Sequence, residues 1–240
     1  MTSASAWMKQ AWQIFRTNPG LFIGINVFLA IVGVVAIVPV VGILILFVLP
    51  FLQAGFYSVI VAAQQNKPVE FAMIFKPFQI LELRAPMLKM AAAQLLCSLP
   101  ALYCVEQLMP ALQQGQVDLP QLLLAVVLYM INLMLFAYAV PIIYFLRENR
   151  LYPVIQASVT ACWRNVLPLT LYSVMAMGIV LTGVAVLLVL TSIIPVIGQL
   201  LILPMILVMM PIFSIAFFLS FSEFFALVIS KEAPPEVFEV

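Results

Sequence analysis

Histidine does not occur in this chain. Its absence removes the commonest metal ligand and the commonest general base together, which excludes His-ligated haem, His-based zinc and Ser-His-Asp chemistry. Charge is almost as scarce. Asp, Glu, Lys and Arg make up 8% of the 240 residues, against about 25% in a soluble domain. A net charge of +1 offers no basic field, so nucleic acid is excluded as a partner. Cysteine is limited to Cys97, Cys104 and Cys162, with no CxxC pair and an odd count, so no disulfide framework follows. Each reads as a small buried hydrophobe.

What fills the chain is hydrocarbon: 66% apolar residues and a mean hydropathy of +1.23. Water cannot surround a surface with so few charges, so a bilayer is the expected solvent. A spanning helix needs about 20 mainly apolar residues. Six stretches qualify: about 20–38, 43–62, 87–105, 121–146, 168–190 and 199–229. Only Pro39-Val-Val-Gly42 separates the first two, and Ile194-Pro-Val-Ile-Gly198 separates the last two, which suits helical hairpins. The sixth stretch is too long to stand upright, so Pro204 and Pro211 are expected to kink it, tilt it or break off a short first segment. The first apolar run is too long for a signal h-region, so the N-terminus is expected to be retained. Residues 231–240 form a short acidic tail.

The cations fall on one side. Lys9 and Arg16 precede span one, and Lys67, Lys76, Arg84 and Lys89 lie between or beside spans two and three. Arg147, Arg150 and Arg164 lie between spans four and five, and Lys231 follows span six. The opposite side holds the two turns and residues 106–119, with Glu106 and Asp118 and no base. The positive-inside rule makes the basic side cytoplasmic, with both termini there. Trp7, Met8, Ala11, Trp12 and Phe15 recur at helical spacing opposite Lys9, Gln10, Gln13 and Arg16. Phe71, Phe75 and Phe78, and Ile155, Ser158, Val159, Cys162 and Trp163, repeat the pattern, so interfacial amphipathic helices are expected on that side. The fold class is therefore all-α: a polytopic transmembrane helical bundle, six spans as three helical hairpins with interfacial amphipathic helices.

Each hairpin is preceded by an amphipathic segment and a basic residue shortly before a proline: Arg16-Thr-Asn-Pro19, Arg84-Ala-Pro86 and Arg164-Asn-Val-Leu-Pro168. Arg16, Arg84 and Arg164 are candidate lipid-phosphate anchors, and proline marks a helix start. A divergent repeat and the common need of any hairpin for a basic anchor both account for the pattern. The amphipathic start, the Trp12-Gln-Ile-Phe-Arg-Thr-Asn-Pro19 junction and the short-turn hairpin resemble a group of uncharacterised six-helix bacterial inner-membrane proteins. That group is similar to the membrane domain found beside some glycerophosphodiester phosphodiesterases. The resemblance implies fold and a bacterial inner-membrane location, not an activity.

Ionisable groups within a bilayer are costly and tend to be functional. Glu223, eight residues before Lys231, is the one serious candidate, as a proton or cation site or as an interfacial carboxylate. A lone carboxylate makes no paired acid–base site. Asn26, Gln53, Gln94 and Asn132 fall inside spans, either as helix-to-helix contacts or as the lining of a substrate path. Gly20 and Gly24 have GxxxG spacing, and Pro50, Pro100, Pro141, Pro204 and Pro211 interrupt spans. Thirteen methionines suit a soft cuprous ion only in a cluster, and with no CxxC and no His they read as fillers of apolar gaps. No cofactor, metal or enzymatic activity is expected. Two roles remain: a non-catalytic accessory, scaffold or assembly factor acting through helix contacts, or a transporter or lipid-handling protein for an apolar or uncharged substrate. Membrane lipids, and a membrane-protein partner or a second copy of the chain, are the expected partners.

Overall fold

The computed structural model describes residues 4–113 and 118–226; the acidic tail 231–240, with Lys231, lies outside the described residues. The described chain is helical, with no strand. In order it forms α1 (Ala4–Thr17), α2 (Pro19–Val35), α3 (Pro39–Gln64), a 3-10 turn (Phe71–Phe75), α4 (Lys76–Gln79), α5 (Leu81–Gln113), α6 (Leu119–Phe136), α7 (Ala139–Leu146), α8 (Leu151–Arg164), α9 (Val166–Ile193) and α10 (Pro195–Phe224). Five helices or joined helices are long and apolar enough to cross a membrane, and a sixth is counted if the bent pair α1–α2 is one span. The protein is a multi-pass integral membrane protein.

Prolines set the starts. Pro19, Pro39 and Pro195 each open a helix, where the missing N–H is one the helix leaves unpaired anyway. The two short turns are thus tighter than their sequence suggests, because Pro39 and Pro195 already belong to the following helices. Gly42 and Gly198 make this feasible: a Cβ on Gly42 would strike the Ala36 carbonyl, and one on Gly198 would overlap Thr191. At the first junction Thr17 donates to the Ile14 carbonyl at 2.7 Å, and the chain turns by 100° from α1 into α2. The 17 residues of α2 reach about 26 Å, slightly less than the hydrocarbon core. Pro204 and Pro211 do not break α10, which runs unbroken for 30 residues. At about 45 Å it is longer than a hydrocarbon core of about 30 Å.

Two compact units emerge. The first comprises Met1–Phe28, Phe56–Ile74 and Thr170–Val240. Its core is α1 laid on α10: Trp7, Ala11 and Phe15 are buried, as are Ile215, Ala216, Phe218 and Phe221. An aromatic chain continues from Phe15 to Phe22 and Phe56, with centroids 6.2 Å apart at each step, and Tyr57 stacks on Phe218 at 4.8 Å. The second unit comprises Leu29–Gly55 and Phe75–Leu169, with α5 to α8 packed together. Cys104, Leu108 and Ala125 bury one seam of α5 against α6, and Gln121 donates to the Cys104 carbonyl at 3.5 Å.

The fourth expected span, 121–146, is interrupted. α6 stops at Phe136 and α7 begins at Ala139. Pro141 is the cause: its ring collides with the carbonyl four residues back, at Ala137, and it has no N–H to bond there. The buried Ser158 of α8 completes the break. Its hydroxyl accepts from the Tyr138 N–H at 3.2 Å and donates to the Met134 carbonyl at 2.9 Å. Those two groups are the pair an unbroken helix would join directly, so the hydroxyl stands inserted in the ladder.

Candidate functional site

Glu223 sits in the last turn of α10, and the structure gives it a partner the sequence did not suggest. The indole N–H of Trp7 donates to its carboxylate at 2.6 Å across 216 residues of chain. Trp7 is 2% exposed and packs edge-on against Phe224 at 5.5 Å and Tyr172 at 6.4 Å. Periodicity placed Trp7 on an apolar face, and nothing local in α1 pointed to a carboxylate so far away in the chain. A charge-assisted bond of this length is a strong one. The arrangement latches α1 to α10.

Tyr172 adds a second fastening. Its hydroxyl donates to the Phe213 carbonyl at 2.8 Å, joining α9 to α10 near that end. Between this bond and the short turn at Ile194, the two helices line an open groove of about 900 Å³. Met175, Ile179, Leu187, Leu201, Met205 and Met209 are among its walls. Its one hydroxyl, on Thr182, is committed to the Gly178 carbonyl at 2.8 Å, so the groove offers an occupant almost nothing but hydrocarbon and thioether. Gly183 lies against Met205 so closely that an added Cβ would come within 2.7 Å of its sulfur. Along α9 the groove runs from Met175 to Leu190, about 22 Å. Leu187 is the only buried residue of α9.

The mid-span amides have separate fates. Asn26 turns its Nδ2–H back onto the Phe22 carbonyl of its own helix at 2.9 Å. Gln53 and Gln94 are exposed on α3 and α5, and Asn132 is half-buried on α6 with its Nδ2 shielded and without an acceptor. Asn26 belongs to the first unit, and Gln53, Gln94 and Asn132 to the second. The three junction arginines are exposed. Arg16 and Arg164 end α1 and α8, where a cation complements the helix dipole. Arg84 forks onto the Phe78 carbonyl, with Nε at 3.2 Å and Nη2 at 2.9 Å, closing the end of α4.

Burial pushes the Cys162 thiol up to about 11, which keeps it protonated and unreactive at neutral pH. Among the described residues no group of three or more Cys, Asp or Glu side chains is placed to hold a metal. Comparison with protein-family models, with curated proteins and with solved structures finds no match to this chain.

Proposed function

We propose that this integral membrane protein is a non-catalytic accessory, a scaffold that works by holding an apolar helix of a partner against its α9–α10 pair. The observation that supports it is the bareness of α9: 28 residues without a single charge, of which Leu187 alone is buried, beside a groove of about 900 Å³. Helices in a bilayer associate through close packing of small and apolar side chains, and Gly178 and Thr182 supply that here. The same groove supports a second reading, lipid handling. A length of about 22 Å on α9 is enough for a chain crossing one leaflet of a core about 30 Å thick. The lining would accept an acyl chain and reject an ion. A bacterial inner-membrane location, both termini in the cytoplasm and kinship with the membrane domain beside glycerophosphodiester phosphodiesterases belong to the same proposal.

Mass spectrometry of what co-purifies in mild detergent separates the two. A stoichiometric protein is expected, and Gly183→Leu, which forces Met205 and Met209 aside, should lower its recovery about tenfold, in line with typical overpacking costs. Retention of a lipid alone, lost in Gly183→Leu, would move the assignment to lipid handling. Finding neither overturns the scaffold. For orientation, reporters fused after residues 65, 112, 150 and 235 should read cytoplasm, periplasm, cytoplasm and cytoplasm. A periplasmic signal at 150 would refute this orientation.

A further inference from the structure

Two contacts define where α1 lies. One end turns by 100° into α2, and Trp7 near the other end bonds Glu223, the penultimate residue of α10. A helix perpendicular to one apolar helix and pinned to the end of another runs along the membrane surface. Its inner face is used up in that packing, with Ala4, Trp7, Ala11, Ile14 and Phe15 buried. Its outer face is Lys9, Trp12, Gln13 and Arg16, all exposed. Their i, i+3, i+4, i+7 spacing makes one stripe, with the two cations about 10 Å apart along the axis. No Asp or Glu occurs anywhere in α1. Trp12, 45% exposed, stands between the cations and stacks on Phe15 at 5.8 Å.

We propose that Lys9, Trp12 and Arg16 form a binding face for anionic phospholipid. Lys9 and Arg16 take the phosphate and the negative headgroup, and the Trp12 ring lies in the interfacial layer where indoles partition. The charge of the stripe selects an anion, and its position along the membrane surface selects a lipid. This goes beyond the expected single anchor at Arg16 and is independent of what fills the α9–α10 groove.

The test uses the full-length protein in uncharged detergent, titrated separately with phosphatidylglycerol and phosphatidylcholine, with bound lipid counted by native mass spectrometry. Phosphatidylglycerol should bind at least about tenfold more tightly, as expected for two cations at the surface. Lys9→Gln or Arg16→Gln should each weaken it about fivefold and the pair about 25-fold, with phosphatidylcholine unchanged. Salt should erode the preference, and Trp12→Ala should weaken both lipids alike. The charge-conserving pair Lys9→Arg with Arg16→Lys should keep the preference, which separates loss of charge from loss of fold. Equal affinity for the two lipids in the native protein, or a preference that survives the double glutamine variant, overturns the proposal. Displacement of phosphatidylglycerol by soluble glycerol phosphate or by an acidic peptide at comparable concentration also overturns it, assigning the face to a free phosphate or to a protein.

Discussion

Replacing Trp7 with alanine should cost about 4 kcal/mol of folding stability, the usual scale for removing a buried aromatic ring. Trp7 is almost wholly buried between Tyr172 and Phe224, so its loss leaves a cavity in the seam between α1 and α10. It also strips the Glu223 carboxylate of its indole donor. Trp7→Phe keeps most of the packing and loses only the N–H, so its cost should fall to about 2 kcal/mol, the range for a hydrogen bond to a charged group. Glu223→Gln retains an acceptor oxygen and should cost about 1 kcal/mol. Unfolding in detergent by heat or by denaturing surfactant measures all three. The double variant of Trp7→Phe with Glu223→Gln isolates the bond itself, because it should cost about 2 kcal/mol rather than the sum of the two single costs, about 3 kcal/mol. Limited proteolysis adds a local readout: cleavage within residues 4–17 should accelerate in Trp7→Ala well before the rest of the chain opens. A stability within about 1 kcal/mol of the native protein for Trp7→Ala would mean that α1 is not latched, since a buried ring of this size cannot be lost so cheaply.

Ser158→Ala should cost about 2 kcal/mol, because two backbone groups lose their shared partner in a buried site. The Tyr138 N–H and the Met134 carbonyl both depend on that one hydroxyl. The more telling measurement is the same change in a Pro141→Ala background. An alanine at 141 can again donate to the Ala137 carbonyl and removes the ring that holds the helix open. α6 and α7 can then join, and the Tyr138 N–H can reach the Met134 carbonyl directly. The cost of Ser158→Ala should therefore shrink to a few tenths of a kcal/mol there, the two sites being coupled through one helix break. An equal cost in both backgrounds would show that the serine is not the repair of the proline break. Amide hydrogen exchange at Tyr138 should report the same reversal, fast in Ser158→Ala and slow again in the double variant.

Much of this arrangement is legible in the sequence. The hydrophobic stretches that define α3, α5, α9 and α10 are local properties, and a run of apolar residues of membrane length has few alternatives to a helix. The amphipathic character of α1 and α8 was equally readable, since an apolar face at helical spacing survives whatever it packs on. Proline was readable in kind but not in consequence. Pro39 and Pro195 read as turn residues and proved to be the first residues of helices. Pro204 and Pro211 left α10 whole, whereas Pro141 opened a span. The difference lies in what stands beside each proline: Ser158 is on hand to satisfy the groups freed near Pro141. No local rule could supply that, because the serine lies 20 residues from Tyr138 in the chain.

The candidate site divides the same way. Glu223 stood out in the sequence because a carboxylate in a hydrocarbon segment is costly. Its donor did not, because Trp7 is 216 residues away and looks like any aromatic on an apolar face. The α9–α10 groove was also hidden: it lies between two helices held together at Tyr172 and Phe213, and hydropathy says nothing about the space left between helices. By itself, then, the sequence determined solvent, helix content and the uneven distribution of cations, since each follows from residue chemistry summed over short stretches. Only the tertiary structure decided which polar groups meet, which proline breaks its helix and where an apolar surface is left uncovered. Those outcomes depend on partners brought together across the chain by packing.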